Sequence, residues 1–201
     1  MIEKTASVHR EVRGKKGMGQ INSETGARIA LTLAAADHVL GNAHAKVTLL
    51  EYGDYECPAC IQAEPLMQHL VDTHRGRLRF VFRHFPWVEV HPNAELAAEA
   101  AEAAAAQGQF WPMHRLLFAQ THHLTAAALV GYAQSLGLDM NRFNAEMTDH
   151  IYTQRIQEHR RAGDRSGLRA TPAFFLNGQA VDVSFGFEKL DEAVRAALKQ
   201  A

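Results

Sequence analysis

The sequence predicts a mixed α/β fold, with a β-α-β half, a block of helices and a β-β-α half following one another along the chain. Three observations carry this. Residues 47–52 and 78–83 are strand-like runs rich in β-branched, aromatic and other apolar residues, and a helical stretch lies between them. Residues 94–106 hold nine alanines and three glutamates, a strong helix former. Residues 173–176 and 179–183 flank Asn177-Gly178, a hairpin signal because both turn positions need positive φ.

Each element has a local reason. Residues 47–52 (Val-Thr-Leu-Leu-Glu-Tyr) lie between Gly41-Asn42 and Gly53-Asp54, the pattern of a buried strand. A helix then runs to about His74, with Leu66, Leu70 and Val71 on one face. Pro58 suits its first turn, Pro65 should kink it, and Gly76 stops it. The strand at 78–83 ends before Pro86. In the alanine-rich helix Asn93 is the cap candidate, and Glu95, Glu99 and Glu102 share a face expected to be solvated. Phe110, His114, Leu117 and Phe118 form one core stripe, and Leu129, Tyr132, Ala133 and Leu136 form another. Asp139 caps a helix with Phe143, Met147 and Ile151 on one side. The basic residues Arg155, Arg160, Arg161, Arg165 and Arg169 read as a solvated helix end. A last helix over about 187–200 turns Leu190, Val194 and Leu198 inward.

Composition narrows the function. The chain has 201 residues, 47% hydrophobic and 21% charged, with a formal charge of −1. This suits one folded domain, with no general attraction to nucleic acid or an anionic membrane. No apolar run approaches the ~20 residues of a membrane span. Residues 1–28 are basic and glycine-interrupted, and are expected to form a flexible arm before a domain at 29–200. No signal peptide is visible in the chain as given, which points to the cytoplasm, or to the periplasm if the start is misassigned or truncated.

Two cysteines are present, as Cys57-Pro58-Ala59-Cys60 after a strand and at a helix start. A helix N-terminus presents free N–H groups and the positive end of its dipole, which favours a thiolate at Cys57. The two-residue gap brings Cys60 within reach, so that Cys57 acts as nucleophile and Cys60 resolves a mixed disulfide. Asp54 and Glu56 would raise the thiol pKa if they lie close. The alternatives at this point are a zinc site completed by His84 and His91, or a structural disulfide. The other histidines, His122-His123 included, fit no metal spacing, and no metal or cofactor is expected.

Longer strings extend the motif: Asp37-His38-Val39-Leu40-Gly41, residues 51–58, Arg83-His84-Phe85-Pro86, residues 110–114, and Thr171-Pro172-Ala173-Phe174-Phe175. They resemble the DsbA-like thioredoxin-fold proteins of bacteria over about residues 37–200. The resemblance implies a thioredoxin fold with a helical insertion at about 92–166. It also implies a cis-proline at Pro172 and a Thr171 backbone that pairs with substrate. Glu51 would sit beneath the cysteines and exchange a proton with Cys60, and Pro58 and Ala59 would start the active-site helix. The implied activity is thiol–disulfide exchange with protein or peptide substrates, or with a small thiol such as glutathione, served by an unidentified redox partner. The competing readings are a zinc-held or redox-sensing interaction module and a kappa-class-like glutathione transferase, the latter disfavoured by the intact cysteine pair.

The chain departs from the oxidising members at Ala59, where they commonly carry histidine. A redox titration against glutathione should therefore place the couple between roughly −120 mV for strong oxidants and −270 mV for thioredoxin. A value at or above the oxidising end would contradict this reading.

Overall fold

The structure, a computed structural model, describes residues 33–34 and 37–201. The expected arm at 1–28 lies outside the described residues. In chain order the elements are β1 (His38–Gly41), β2 (Val47–Gly53), α1 (Pro58–Thr73), β3 (Leu78–His84), α2 (Ala94–Ala105) and α3 (Phe110–Ala119). They continue with α4 (Ala126–Ser135), α5 (Met140–Thr148), α6 (Thr153–Arg165), β4 (Ala173–Leu176), β5 (Gln179–Val181) and α7 (Glu188–Gln200).

The strands form one sheet in the order β1-β3-β2-β4-β5. β2 and β3 are parallel, with Leu50 opposite Val81, as the intervening α1 crossover requires. β4 pairs antiparallel to β2 and β5 to β4, while β1 closes the other edge against β3. β2 is buried along its whole length, which explains its nearly continuous apolar sequence. Five helices, α2–α6, lie between β3 and β4.

Local chemistry accounts for the boundaries. Asn177 and Gly178 turn the β4–β5 hairpin with φ of 49° and 84°. The Asn177 backbone and side chain also bond the Thr48 backbone at 2.8 Å, tying the turn to β2. β5 stops at Val181, short of the expected Val183, because the Asp182 carboxylate accepts the Ser184 N–H and starts a turn. Asp139 caps α5 through the N–H groups of Asn141 and Arg142. Leu190, Val194 and Leu198 of α7 are buried, each stabilising by about 1.5–3 kcal/mol.

Four expectations are corrected. Asn93 stands at the α2 N-cap, but its side chain does not cap. It donates instead to Glu56. Ile151 falls beyond α5 and is 53% exposed. Glu99 and Glu102 are buried, because the alanines of α2 let neighbours pack closely on several sides. Arg155 and Arg160 are not a solvated end: Arg155 Nε pairs with Glu102 at 2.9 Å, and Arg160 pairs with Glu89 at 3.1 Å.

Glu102 is the hub of this polar interior. Its Oε1 is 3.0 Å from both His38 Nε2 and His84 Nε2, besides Arg155. Burial pushes the carboxyl up, but hydrogen bonds and charge from His38 and His84 outweigh it and hold Glu102 well below the usual carboxylate range. A carboxyl lowered on folding contributes stability above its ordinary value of 4.5, and that contribution is lost as the pH falls. Glu102→Ala should cost about 3–5 kcal/mol in urea unfolding, because it strands buried donors. A loss below about 1 kcal/mol would show that the hub is not structural.

Candidate active site

Cys57 is the N-cap of α1, with extended φ and ψ of −72° and 120°, and Pro58 follows in the first turn, where its missing N–H costs nothing. Both cysteines are free and buried, Cys57 being 7% exposed and Cys60 fully enclosed. Cys57 Sγ lies 3.3 Å from the Thr171 carbonyl oxygen, to which it donates when protonated. The Thr171–Pro172 peptide bond is cis. The structure thus brings Thr171, from the approach to β4, onto a thiol more than a hundred residues earlier.

The two thiols are driven apart. A hydrogen bond from Cys60 is the largest pull on Cys57; burial opposes it, while the Thr171 side chain and the N–H groups of Cys60 and Ala59 add to it, leaving a pKa of about 5. Burial pushes the Cys60 thiol well up, and the bond to Cys57 and the charges of Glu51 and Cys57 push it further. One sulfur is therefore a thiolate at neutral pH and the other a reserve thiol.

Glu51 lies on β2 and is 1% exposed. Burial, then the charges of Glu64 and Cys57, raise its carboxyl well above the usual range, against a hydrogen bond from Cys60. Its Oε1 has no hydrogen-bond partner among the described residues. Gly53 leaves it room: a Cβ there would fall 2.4 Å from the Phe82 ring and 2.9 Å from Glu51 Oε1. The carboxyl beside Cys60 is thus held well above the usual carboxylate range.

Asp54 and Glu56 do not act on the thiol as expected. Asp54 accepts the N–H groups of Glu56 and Trp87 and contacts His91 Nδ1, all at 2.8 Å. Glu56 accepts the backbone and side-chain N–H groups of Asn93. His91 and His84 are therefore engaged by Asp54 and Glu102, not gathered with the cysteines as a zinc site requires. Sequence reasoning also missed a buried set beneath α1: Tyr55 Oη is 3.0 Å from His114 Nδ1, and His114 Nε2 is 3.3 Å from Glu64. The Cys60–Glu64 spacing of four residues, one helical turn, was the available signal. Among the described residues, one metal-like donor group occurs, His38, His84 and Glu102. The Arg155 guanidinium already sits on the carboxylate oxygen those histidines share.

A family model described as Thioredoxin matches residues 34–196. The chain belongs to the thioredoxin family. Its fold is also that of a thioredoxin-like oxidoreductase from Silicibacter pomeroyi (29% identity, TM-score 0.73, 84% of this chain and 95% of that one). BdbD from Bacillus subtilis (22%, 0.71, 81% and 93%) and the thiol-disulfide exchange protein alpha-DsbA2 from Wolbachia pipientis (17%, 0.72, 81% and 88%) share it. The DsbA-like thioredoxin fold is therefore established for this family member. Curated relatives include Na(+)/H(+) antiporter NhaA 1 of Salinispora arenicola, 47% identical over 161 residues, and NhaA of Herminiimonas arsenicoxydans, 37% identical over 161 residues. These matches take in 80% of this chain, but the chain spans only about a quarter of their length. Among the described residues, no helix is long and apolar enough to cross a membrane.

Alkylation of the reduced protein by iodoacetamide should follow a midpoint near pH 5, with modification at Cys57. Cys60→Ala should move that midpoint up toward the ordinary thiol value. A midpoint that stays near 5 in the variant would rule out Cys60 as the main stabiliser of the thiolate.

Proposed function

We propose that the protein is a DsbA-like thiol–disulfide oxidoreductase that exchanges disulfides with protein or peptide substrates, glutathione being a small-molecule candidate. The observation that carries this is the pair of free thiols at the start of α1, Cys57 at the cap 3.3 Å from the Thr171 carbonyl before a cis proline and Cys60 enclosed one turn inside. The lowering of the Cys57 thiol to about 5 and the raising of Cys60 accord with it. A value near 5 falls between thioredoxin at about 7 and the strong oxidants at about 3.5, in keeping with an intermediate redox couple. The thiol–disulfide exchange named for the Wolbachia structure supports the same reading.

In the reducing direction the Cys57 thiolate attacks one sulfur of a substrate disulfide. The S–S bond breaks, the distal sulfur leaves as a thiolate, and a mixed disulfide forms. With the Cys57 thiolate charge consumed in the mixed disulfide, Glu51 gives its own proton to solvent, and the resulting carboxylate takes the Cys60 proton as Cys60 attacks Cys57 Sγ. This releases the second substrate thiolate and closes a Cys57–Cys60 disulfide. The substrate gains two electrons and the protein loses two; a dithiol partner restores the reduced pair. The oxidising direction is the reverse, and the partner and compartment choose between them. Thr171 and Pro172 hold the substrate chain beside the sulfur, and Pro58 and Ala59 start the helix whose N–H groups stabilise the thiolate.

Cys57→Ser should abolish dithiothreitol-coupled reduction of insulin disulfides, and retained turnover would refute the assignment. Glu51→Gln should slow resolution of the mixed disulfide about tenfold or more, with far less effect on the first attack. Equal effects on both steps would remove the proton-transfer role.

A further inference from the structure

The segment that brings the Thr171 carbonyl to Cys57 also carries an arginine. Arg169 stands two residues before Thr171, so its backbone lies within about 7 Å of the residue that touches the nucleophilic sulfur. The chain is fixed on both sides of it. Upstream, the Gly167 N–H donates to the Asp164 carbonyl at 3.0 Å and the Leu168 N–H to the Gly163 carbonyl at 3.1 Å, closing the end of α6. The Leu168 side chain packs on the cluster of Leu50, Tyr52, Val81, Phe85 and Phe175, and a Cβ at Gly163 would meet it at 2.9 Å. Downstream, Thr171 is held against the thiol. The Arg169 side chain itself is exposed, and its Nη1 donates to the neighbouring Leu168 carbonyl at 2.6 Å.

No acid among the described residues pairs with this guanidinium. Asp54 and Glu56, on the turn before Cys57, accept the N–H groups of Glu56, Trp87 and Asn93 instead, and Glu89 pairs with Arg160. Residues 161–170 hold Arg161, Arg165 and Arg169 against one acid, Asp164, so the approach to Thr171 is positive. An exposed cation adds little to folding even when it is paired. It does keep donors, in a fork that fits a carboxylate, for a ligand on a backbone ordered beforehand. Position names that ligand. Cys57 is only 7% exposed, so a substrate disulfide reaches it only with its own chain laid along Thr171. The residues flanking the substrate's cysteine then run beside the 169–171 segment, inside the ~10 Å over which exposed charges act at ordinary ionic strength.

We propose that Arg169 sets the specificity of exchange, favouring protein disulfides with an acidic side chain next to the reacting cysteine. The proposal rests on the exchange activity above, whose substrate class it narrows. Three disulfide-bonded peptides test it, identical except for aspartate, asparagine or lysine beside the cysteine. The wild type should reduce them with kcat/KM falling in that order, and the aspartate-to-lysine ratio should shrink in about 0.5 M salt. Arg169→Gln, at an exposed site where the fold tolerates change, should lower that ratio about threefold or more. Arg169→Lys should restore part of it. Arg161→Gln, the same loss of charge farther from Thr171 along the chain, should lower it far less. Equal reduction of the three peptides by the wild type would overturn the role of Arg169 and leave the exchange activity standing. So would a ratio unchanged by Arg169→Gln, or lowered as much by Arg161→Gln. Failure of the wild type to reduce any of the three would overturn the exchange activity, and the role of Arg169 with it.

Discussion

The rest of the site depends on one asymmetry: two thiols three residues apart must hold opposite protonation states. A helix start achieves this with little machinery. Cys57, at the cap, collects the N–H groups of Ala59 and Cys60 and the thiol of Cys60, all pointing the same way. Cys60, one turn inside, is sealed by the core and faces Glu51 instead. Burial therefore has opposite consequences for neighbouring groups of the same kind, decided by which of them has donors to hand. The same burial, with the charges of Glu64 and Cys57, raises the Glu51 carboxyl below them well above the usual carboxylate range.

Holding that geometry requires a polar interior uncommon in so small a domain. Glu102 gathers His38, His84 and Arg155 from β1, β3 and α6, joining the sheet to the helical block. Tyr55, His114 and Glu64 make a second seam, between α3 and the active-site helix. Asp54 and Glu56 make a third, to the loop before α2. Each buried carboxylate has donors, which is what makes its burial tolerable. Two buried carboxylate oxygens among the described residues, Glu51 Oε1 and Glu146 Oε2, have no hydrogen-bond partner, and the first belongs to the carboxyl with a proposed proton to move.

The sequence was most legible where local chemistry decides the outcome. The continuous apolar run of β2, the Asn177-Gly178 turn and the cysteine pair at a helix start all read correctly, because backbone conformation and short spacing set them. It was least legible where distant partners decide. The four residues of β1 become a strand only by pairing with β3. The helix α6 lacks an apolar stripe, since its inward contacts are Ile156, Gly163 and the arginines that meet acids elsewhere. The glutamates of α2 looked solvated because their partners, among them His38, His150 and Arg155, lie about fifty or more residues away. Asp54 and Glu56 looked like negative neighbours of the thiol for the same reason: nothing local shows that Trp87, His91 and Asn93 engage them.

The central claim is that Cys57 alone attacks and Cys60 alone resolves. It is tested most directly by mixing Cys60→Ala protein with one equivalent of a peptide disulfide at pH 7, quenching with acid, and reading the adduct by mass spectrometry and peptide mapping. The account predicts one persistent mixed disulfide at Cys57 with one equivalent of peptide thiol released. Absence of the adduct at Cys57 while the intact peptide disulfide remains would contradict it.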